Sequence, residues 1–200
     1  MVSFGALMKP YVENHPIGLV WVALWVVTAV IELAGATRRR DEATQKDRGS
    51  RFVLRITVIP AVFMLALSPR IAPAAEMHPP LAAVVIGMVV FAAGETLRVW
   101  SKVALGRYFT YTVMTSSDQP VITGGPYPYV RHPSYSGILL IAIGAGTVWG
   151  NWLGLGALTV GALVGLIYRI YVEEKALLEE LGDRYRTYAE GHKRLLPFVW

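Results

Sequence analysis

Residues 134–168 run for 35 positions without one charged side chain. As a single helix the run would measure about 50 Å, well beyond the ~30 Å hydrocarbon core of a bilayer. It therefore divides into two shorter membrane helices, and Gly150-Asn151 is the break the sequence offers. GxxxG spacing at Gly150/Gly154 and Gly161/Gly165 predicts close helix contact within this hairpin. Only 16% of the chain is charged, short of the ~25% usual in soluble domains. The expectation is an all-α integral membrane protein forming one domain over 1–200.

Three more spans precede the hairpin. Ile17–Ala36 is apolar except for Glu32 near its end, the length a crossing needs. Phe52–Leu67 is shorter, with Arg55 near its start and Pro60 inside, where a kink is expected. The third covers 81–102, and the hairpin adds 135–149 and 152–171. Charge bias agrees with five spans. Six Lys/Arg lie in 37–52, four in 98–134 and six from Arg169 onward, against Lys9 and Arg70 on the other side. Basic loops stay cytoplasmic, so the N-terminus is expected outside and the helical tail in the cytoplasm. In that tail Gly182 closes one helix and Asp183 is an N-cap candidate for a second, ending near His192. Residues 1–16 lack a basic, apolar and small-residue leader pattern, so no cleaved signal peptide is expected.

Several function classes are disfavoured. The net charge of +5 is spread along the borders of apolar runs rather than in one stripe, so nucleic acid is not an expected partner. There is no cysteine, and the four histidines lack metal-ligand spacing, so no metal is expected. Neither GxSxG nor a P-loop occurs. No internal repeat suggests a transporter.

Against this background the stretch "GGPYPYVRHPSYSG" at 124–137 stands out. Pro126, Pro128 and Pro133 stiffen it, and Gly124 and Gly125 permit tight turns. Irregular backbone beside a membrane is tolerated where it lines a cavity. Tyr127, Tyr129 and Tyr135 offer flat faces with a hydroxyl, and His132 offers a hydrogen bond or a helix cap. Further on, Arg169 and Glu173 are four residues apart on one helix face, with Glu174 beside them. They mark either the helix exit into water or a site for a ligand with both charge signs. Glu95 and Arg98 are read as a structural i,i+3 ion pair.

"LRVWSKVALGRYFT" at 97–110, "VITGGPYPYVRHPSYSG" at 121–137, "RIYVEEKALLEELGDRYRTY" at 169–188 and "LLPF" at 195–198 occur in that order. Together they resemble the isoprenylcysteine carboxyl methyltransferase family and the related phospholipid methyltransferases. The first 80 residues match only as generic spans. The resemblance implies S-adenosylmethionine as cofactor, S-adenosylhomocysteine as product, and a cytoplasmic cofactor region from 119–137 and 169–198. It maps Gln119, Val121, Ile122, Tyr127, His132, Pro133, Ser134 and Tyr135 onto cofactor contacts. Glu173, with its neighbour Glu174, maps onto the carboxylate that holds the cofactor, and Arg169 onto the residue that orients an acceptor carboxylate. Loop 110–118 carries nothing over.

Methyl transfer from a sulfonium needs alignment and exclusion of water rather than a general base when the acceptor is an anion. The expected acceptor is lipophilic or another small molecule, and the lipid bilayer is the second partner. Carboxyl O-methylation leads, with phospholipid N-methylation and thiol S-methylation as alternatives. An NADPH-dependent membrane reductase, which resembles this family in its C-terminal part, and a non-enzymatic scaffold also stand.

Overall fold

The computed structural model describes residues 16–36, 44–45, 47, 49–78, 80–109, 114–115, 120–197 and 200. The N-terminal residues, most of the 37–48 loop and Gln119 lie outside them. Among the described residues six α-helices follow in order: α1 Pro16–Ala36, α2 Ser50–Ile71, α3 Pro80–Leu105, α4 Pro133–Trp149, α5 Trp152–Leu181 and α6 Asp183–Gly191. One two-residue antiparallel pair joins Thr44–Gln45 to Met114–Thr115. Ser50–Ile71, Pro80–Tyr108 and Trp152–Leu181 are long and apolar enough to cross a membrane, and Gly18–Leu33 and Pro133–Trp149 are shorter apolar helices. All five expected spans are thus apolar helices, three of them of crossing length.

The uncharged run breaks at the expected place, for local reasons. Gly150 ends α4 with φ 72°, a left-handed conformation that glycine adopts without strain. Asn151 then caps α5, its Oδ1 accepting from Leu153 N and Gly154 N at 3.0 and 3.3 Å. Its Nδ2 donates to Ala72 O at 2.9 Å, which fastens the α2–α3 connection to the same turn. In the tail, Gly182 rather than Asp183 is the N-cap of α6, and Asp183 is the first helical residue. An acidic residue in the first turn favours the helix dipole equally well from there.

The GxxxG glycines do not serve the hairpin as the spacing suggested, although Gly146 of α4 does face Leu155 of α5. Gly161 faces Thr57 and Ala61 of α2, Gly165 faces Leu54 and Thr57, and Gly154 faces Ser68 and Leu65. The α5 glycine face therefore closes on α2. Gly150 belongs to the turn. On the other side, α4 closes on α3 through Gly144 against Phe91 and Gly137 against Gly94. Spacing sets which residues share a face, but not which neighbour that face meets. The bundle core collects Phe91, Leu158, Ala162 and Trp21, with the Trp21 and Phe91 rings edge to face at 5.1 Å. The outer face of α2 leaves Phe52, Ile59 and Phe63 more than half exposed, as a lipid-facing surface does.

α1 is joined to the bundle by charge as well as by rings. Glu32 accepts from Arg98 Nε at 2.7 Å, Arg98 Nη2 at 2.9 Å and Lys102 Nζ at 2.6 Å. Arg98 therefore turns to Glu32 instead of forming the expected pair with Glu95. The partner lies 66 residues away in sequence, where no helical spacing rule reaches it.

A Cβ on Gly144 would stand 2.5 Å from the Phe91 backbone nitrogen, whereas one on Gly156 meets nothing within 4 Å. Gly144→Ala is expected to destabilise by about 1–3 kcal/mol through overpacking. Gly156→Ala should be neutral or stabilise by up to about 1 kcal/mol. Thermal unfolding of both variants in detergent checks this, and equal melting temperatures would contradict the close α3–α4 crossing.

Candidate active site

The Pro-rich strap does not stand alone. Two turns close within it, Tyr127 N to Gly124 O at 3.3 Å and Tyr129 N to Pro126 O at 3.2 Å. Its last residues then pair with the chain's tail. Arg131 N donates to Lys193 O at 2.7 Å and His132 N to Arg194 O at 3.0 Å. Ser136 Oγ donates to Leu195 O at 2.6 Å, and Leu195 is fully buried. From α6, Tyr188 OH donates to Tyr127 O at 2.8 Å. Peptide groups that proline and irregular backbone leave without helical partners are thus satisfied by the tail.

Glu174 is the electrostatic knot of this region. It is buried, and it receives Arg131 Nη1 at 2.8 Å, His132 Nε2 at 3.2 Å and Arg194 Nε at 3.0 Å. The three donors come from the strap, the start of α4 and the tail. His132 is the backbone N-cap of α4, its C=O accepting from Tyr135 N and Ser136 N, while its ring pairs with Glu174 and stacks on Tyr135.

Glu173, one residue earlier, points about a quarter-turn away into a cavity. There Tyr135 OH donates to Glu173 Oε2 and accepts from Arg169 Nε at 2.8 Å. Arg169 Nη1 donates to Ser50 Oγ at 3.0 Å and to Asp47 Oδ1 at 3.3 Å. Ser50 Oγ in turn donates to Asp47 Oδ1 at 2.7 Å. Arg169, 5% exposed, is therefore held from two sides, by α4 and by Asp47 and Ser50 at the entry to α2. A charge fixed in this way is set before any ligand arrives.

The cavity measures about 260 Å³, close to the lower end of the ~300–1,000 Å³ usual for ligand clefts. Among the residues read from sequence, Val121, Ile122, Tyr127 and His132 line it, as do Ser134, Tyr135, Arg169 and Glu173. Pro133 is buried at the start of α4 and Glu174 faces the strap and tail, so neither reaches the cavity wall. Gln119 is outside the described residues. Ser134 Oγ is held by Arg98 Nη1 at 2.8 Å, which links the wall to the Glu32 cluster. The far wall is α2, with Arg51, Leu54 and Arg55.

The phenols of the wall are kept neutral. Burial, then the charge of Glu173, pushes Tyr127 well above the ordinary tyrosine range. Burial, then Glu174 and Glu173, does the same to Tyr185, and burial raises Tyr188 to about 12. All three remain O–H groups at neutral pH. The wall thus combines a carboxylate, a guanidinium and aromatic faces. Among the described residues, no cluster of His, Asp or Glu is arranged to hold a metal ion.

Sequence reasoning missed Asp47, Ser50, Arg131, Tyr185 and Glu32. Arg131 stood in the quoted strap and Tyr185 in the quoted tail. Asp47 lay in a loop read only for its topogenic charge, and it is Gly49, not Asp47, that stands at the N-cap of α2.

Residues 85–179 match the isoprenylcysteine carboxyl methyltransferase family. Across that segment the chain is similar to this family. The protein-S-isoprenylcysteine O-methyltransferase of Tribolium castaneum is 34% identical over 116 residues, 57% of this chain and 41% of that protein. Protein-S-isoprenylcysteine O-methyltransferase B of Arabidopsis thaliana is 31% identical over 115 residues, 56% of this chain and 58% of that protein. The chain thus spans about half the length of these curated relatives. A solved eukaryotic intramembrane Ras methyltransferase of the isoprenylcysteine carboxyl type superposes with a TM-score of 0.66 at 22% identity, covering 98% of this chain and 74% of that one. At that identity the likeness is one of fold. The family segment holds the strap, Arg169, Glu173 and Glu174, and leaves Asp47, Ser50 and Tyr185 outside.

The neighbouring carboxylates should separate by experiment. Glu174→Gln removes the charge that three donors share and is expected to cost about 3–5 kcal/mol of stability. Glu173→Gln, facing the cavity and Tyr135, should stay within about 1 kcal/mol of wild type. Thermal melts of the two variants check this, and the reverse order would contradict the division of roles.

Proposed function

We propose that the chain is a membrane-embedded, S-adenosylmethionine-dependent methyltransferase. Its acceptor is the carboxylate of a prenylcysteine-like or other lipophilic molecule. One observation carries the reading: Tyr135 holds Glu173 and Arg169 together in the wall of one cavity, with a carboxylate and a guanidinium side by side. Such a pair receives two ligands of opposite charge, an ammonium and a carboxylate. The family match over the same residues and the names of the curated relatives support it.

The cofactor supplies an electrophilic methyl group on a sulfonium. The chain's residues supply the alignment. Glu173 binds the cofactor's ammonium, and Tyr127, Val121 and Ile122 give the flat and apolar surface its adenosyl part needs. Arg169, fixed by Asp47, Ser50 and Tyr135, orients the acceptor carboxylate. A carboxylate is already nucleophilic, so no residue has to remove a proton, and catalysis falls to positioning and exclusion of water. The apolar helices let a lipophilic acceptor arrive from the bilayer. In this reading the five apolar helices cross it, with the N-terminus outside and the strap and tail, 119–137 and 169–198, on the cytoplasmic side.

Isothermal titration of S-adenosylhomocysteine into detergent-purified protein tests the donor site. Wild type is expected to bind at micromolar concentration, and Glu173→Ala to lose about tenfold or more, the size of one charge-assisted hydrogen bond. Folded wild type that binds no S-adenosylhomocysteine would contradict the reading. Binding of NADPH in its place would move the site to reductase chemistry.

A further inference from the structure

Arginines are the commonest charge in the cavity wall. Three of them, Arg98, Arg131 and Arg169, each have a carboxylate of their own. Arg98 meets Glu32 at 2.7 Å, Arg131 meets Glu174 at 2.8 Å and Arg169 meets Asp47 at 3.3 Å. Arg55 lines the same cavity and differs from them. It is exposed, and among the described residues it has no hydrogen-bond or ion-pair partner. Arg51, four residues earlier on the same helix, is also exposed and also lines the cavity. Like charges at that spacing oppose one another, and an anion between them relieves the repulsion.

Arg55 stands at an edge. With about 3.6 residues per turn, it falls between two faces of α2. On one side are Phe52 and Ile59, both apolar and more than half exposed. On the other are Arg51 and Leu54, which line the cavity. Arg55 therefore marks the line along which the cavity meets the lipid-facing surface. Ser50, which accepts from Arg169 at 3.0 Å, lies on the same helix, ~7.5 Å along the axis from Arg55. An acceptor whose carboxylate sits on Arg169 passes this edge as its lipophilic part reaches the bilayer. A charged side chain within an apolar span characteristically faces a cavity and marks a ligand's path. An arginine that only anchors a helix end in the headgroups needs no cavity beside it.

We propose that Arg55, with Arg51, forms a second anion subsite at the bilayer edge of the cavity. It selects a lipophilic acceptor that carries two acidic groups, the carboxylate that receives the methyl and one more. The proposal rests on the carboxylate-acceptor reading above and narrows it to a class of substrate. In that reading Glu173 takes the donor's ammonium and Arg169 the reacting carboxylate, so Arg55 answers to neither. Guanidinium suits the task, since its N–H groups bind an acid through charge-assisted hydrogen bonds. Both arginines precede the segment that matches the family, which begins at residue 85.

The test measures methyl transfer to two acceptors by the full chain in phosphatidylcholine nanodiscs. N-succinyl-S-farnesylcysteine has the reacting carboxylate and a second one. Its succinamide analogue replaces the second carboxylate by a neutral amide of nearly the same shape. Fragment masses identify the methyl ester at the cysteine carboxylate. Wild type is expected to favour the diacid about tenfold in kcat/KM, mainly through KM, the size of one charge-assisted hydrogen bond. Arg55→Gln is expected to bring that ratio to within about twofold of unity, and Arg55→Lys, which keeps a cation, to retain a preference.

A wild-type ratio near unity would overturn the subsite alone, and that result needs no variant to fold. A tenfold ratio that persists in folded Arg55→Gln would overturn it as well, by placing the second acid elsewhere. Equal rates on the two acceptors, with a rate that rises in phosphatidylglycerol nanodiscs and depends on Arg55, would overturn it by giving the arginines to an anionic lipid. Folded wild type that methylates neither acceptor would remove the carboxylate-acceptor reading and the subsite together.

Discussion

Glu174 is one buried carboxylate to which Arg131, His132 and Arg194 all turn. Desolvating a carboxylate costs several kcal/mol, and only close, well-aligned partners offset it. That constraint assembles the site. The strap, the start of α4 and the tail each have to bring a donor to one point on α5. Once they do, the backbone bonds between residues 131–132 and 193–194 close over the same spot. A rigid, proline-rich segment at a membrane surface thereby gains the partners it cannot supply itself.

The other charges of the cavity wall follow the same logic. Arg98 is tied to Glu32 and Ser134, and Arg169 to Asp47, Ser50 and Tyr135. Each pairing crosses between helices, so the wall's electrostatics and the helix arrangement depend on one another. Within a membrane, where apolar burial does not distinguish one helix neighbour from another, polar contacts and glycine approaches set that arrangement. The bonds that hold the bundle also hold Arg169 and Ser134 still beside the cavity. That is the preorganisation a transfer reaction relying on alignment requires.

Much of the fold was legible because its causes are local. The Gly150-Asn151 break needs one left-handed residue and one capping side chain, both visible in the dipeptide. Gly182 ends α5 for similar reasons. Apolar runs announce the helices directly. What lay hidden was helix phase and distant partnership. Glu173 and Glu174 are adjacent in sequence, yet one faces the cavity and the other the strap. Arg98 was paired with Glu95 on spacing, while its partner came from α1. Asp47 and Arg169 stand 122 residues apart. The α5 glycines were assigned to the hairpin, while α2 took them. Resemblance to a family supplied the strap and the Arg169–Glu173 pair, but it could not supply partners that lie outside the shared segment.

The central claim is that this site moves a methyl group onto a carboxylate. The most direct measurement incubates the purified protein with S-adenosylmethionine labelled in its methyl group and N-acetyl-S-farnesylcysteine, then treats the lipid extract with base. A carboxyl methyl ester releases its label as volatile methanol, whereas N-methyl and S-methyl products do not. The account predicts base-labile label that depends on Arg169 and Glu173. Label that survives base, or no transfer by protein that binds S-adenosylhomocysteine, would contradict the carboxylate acceptor.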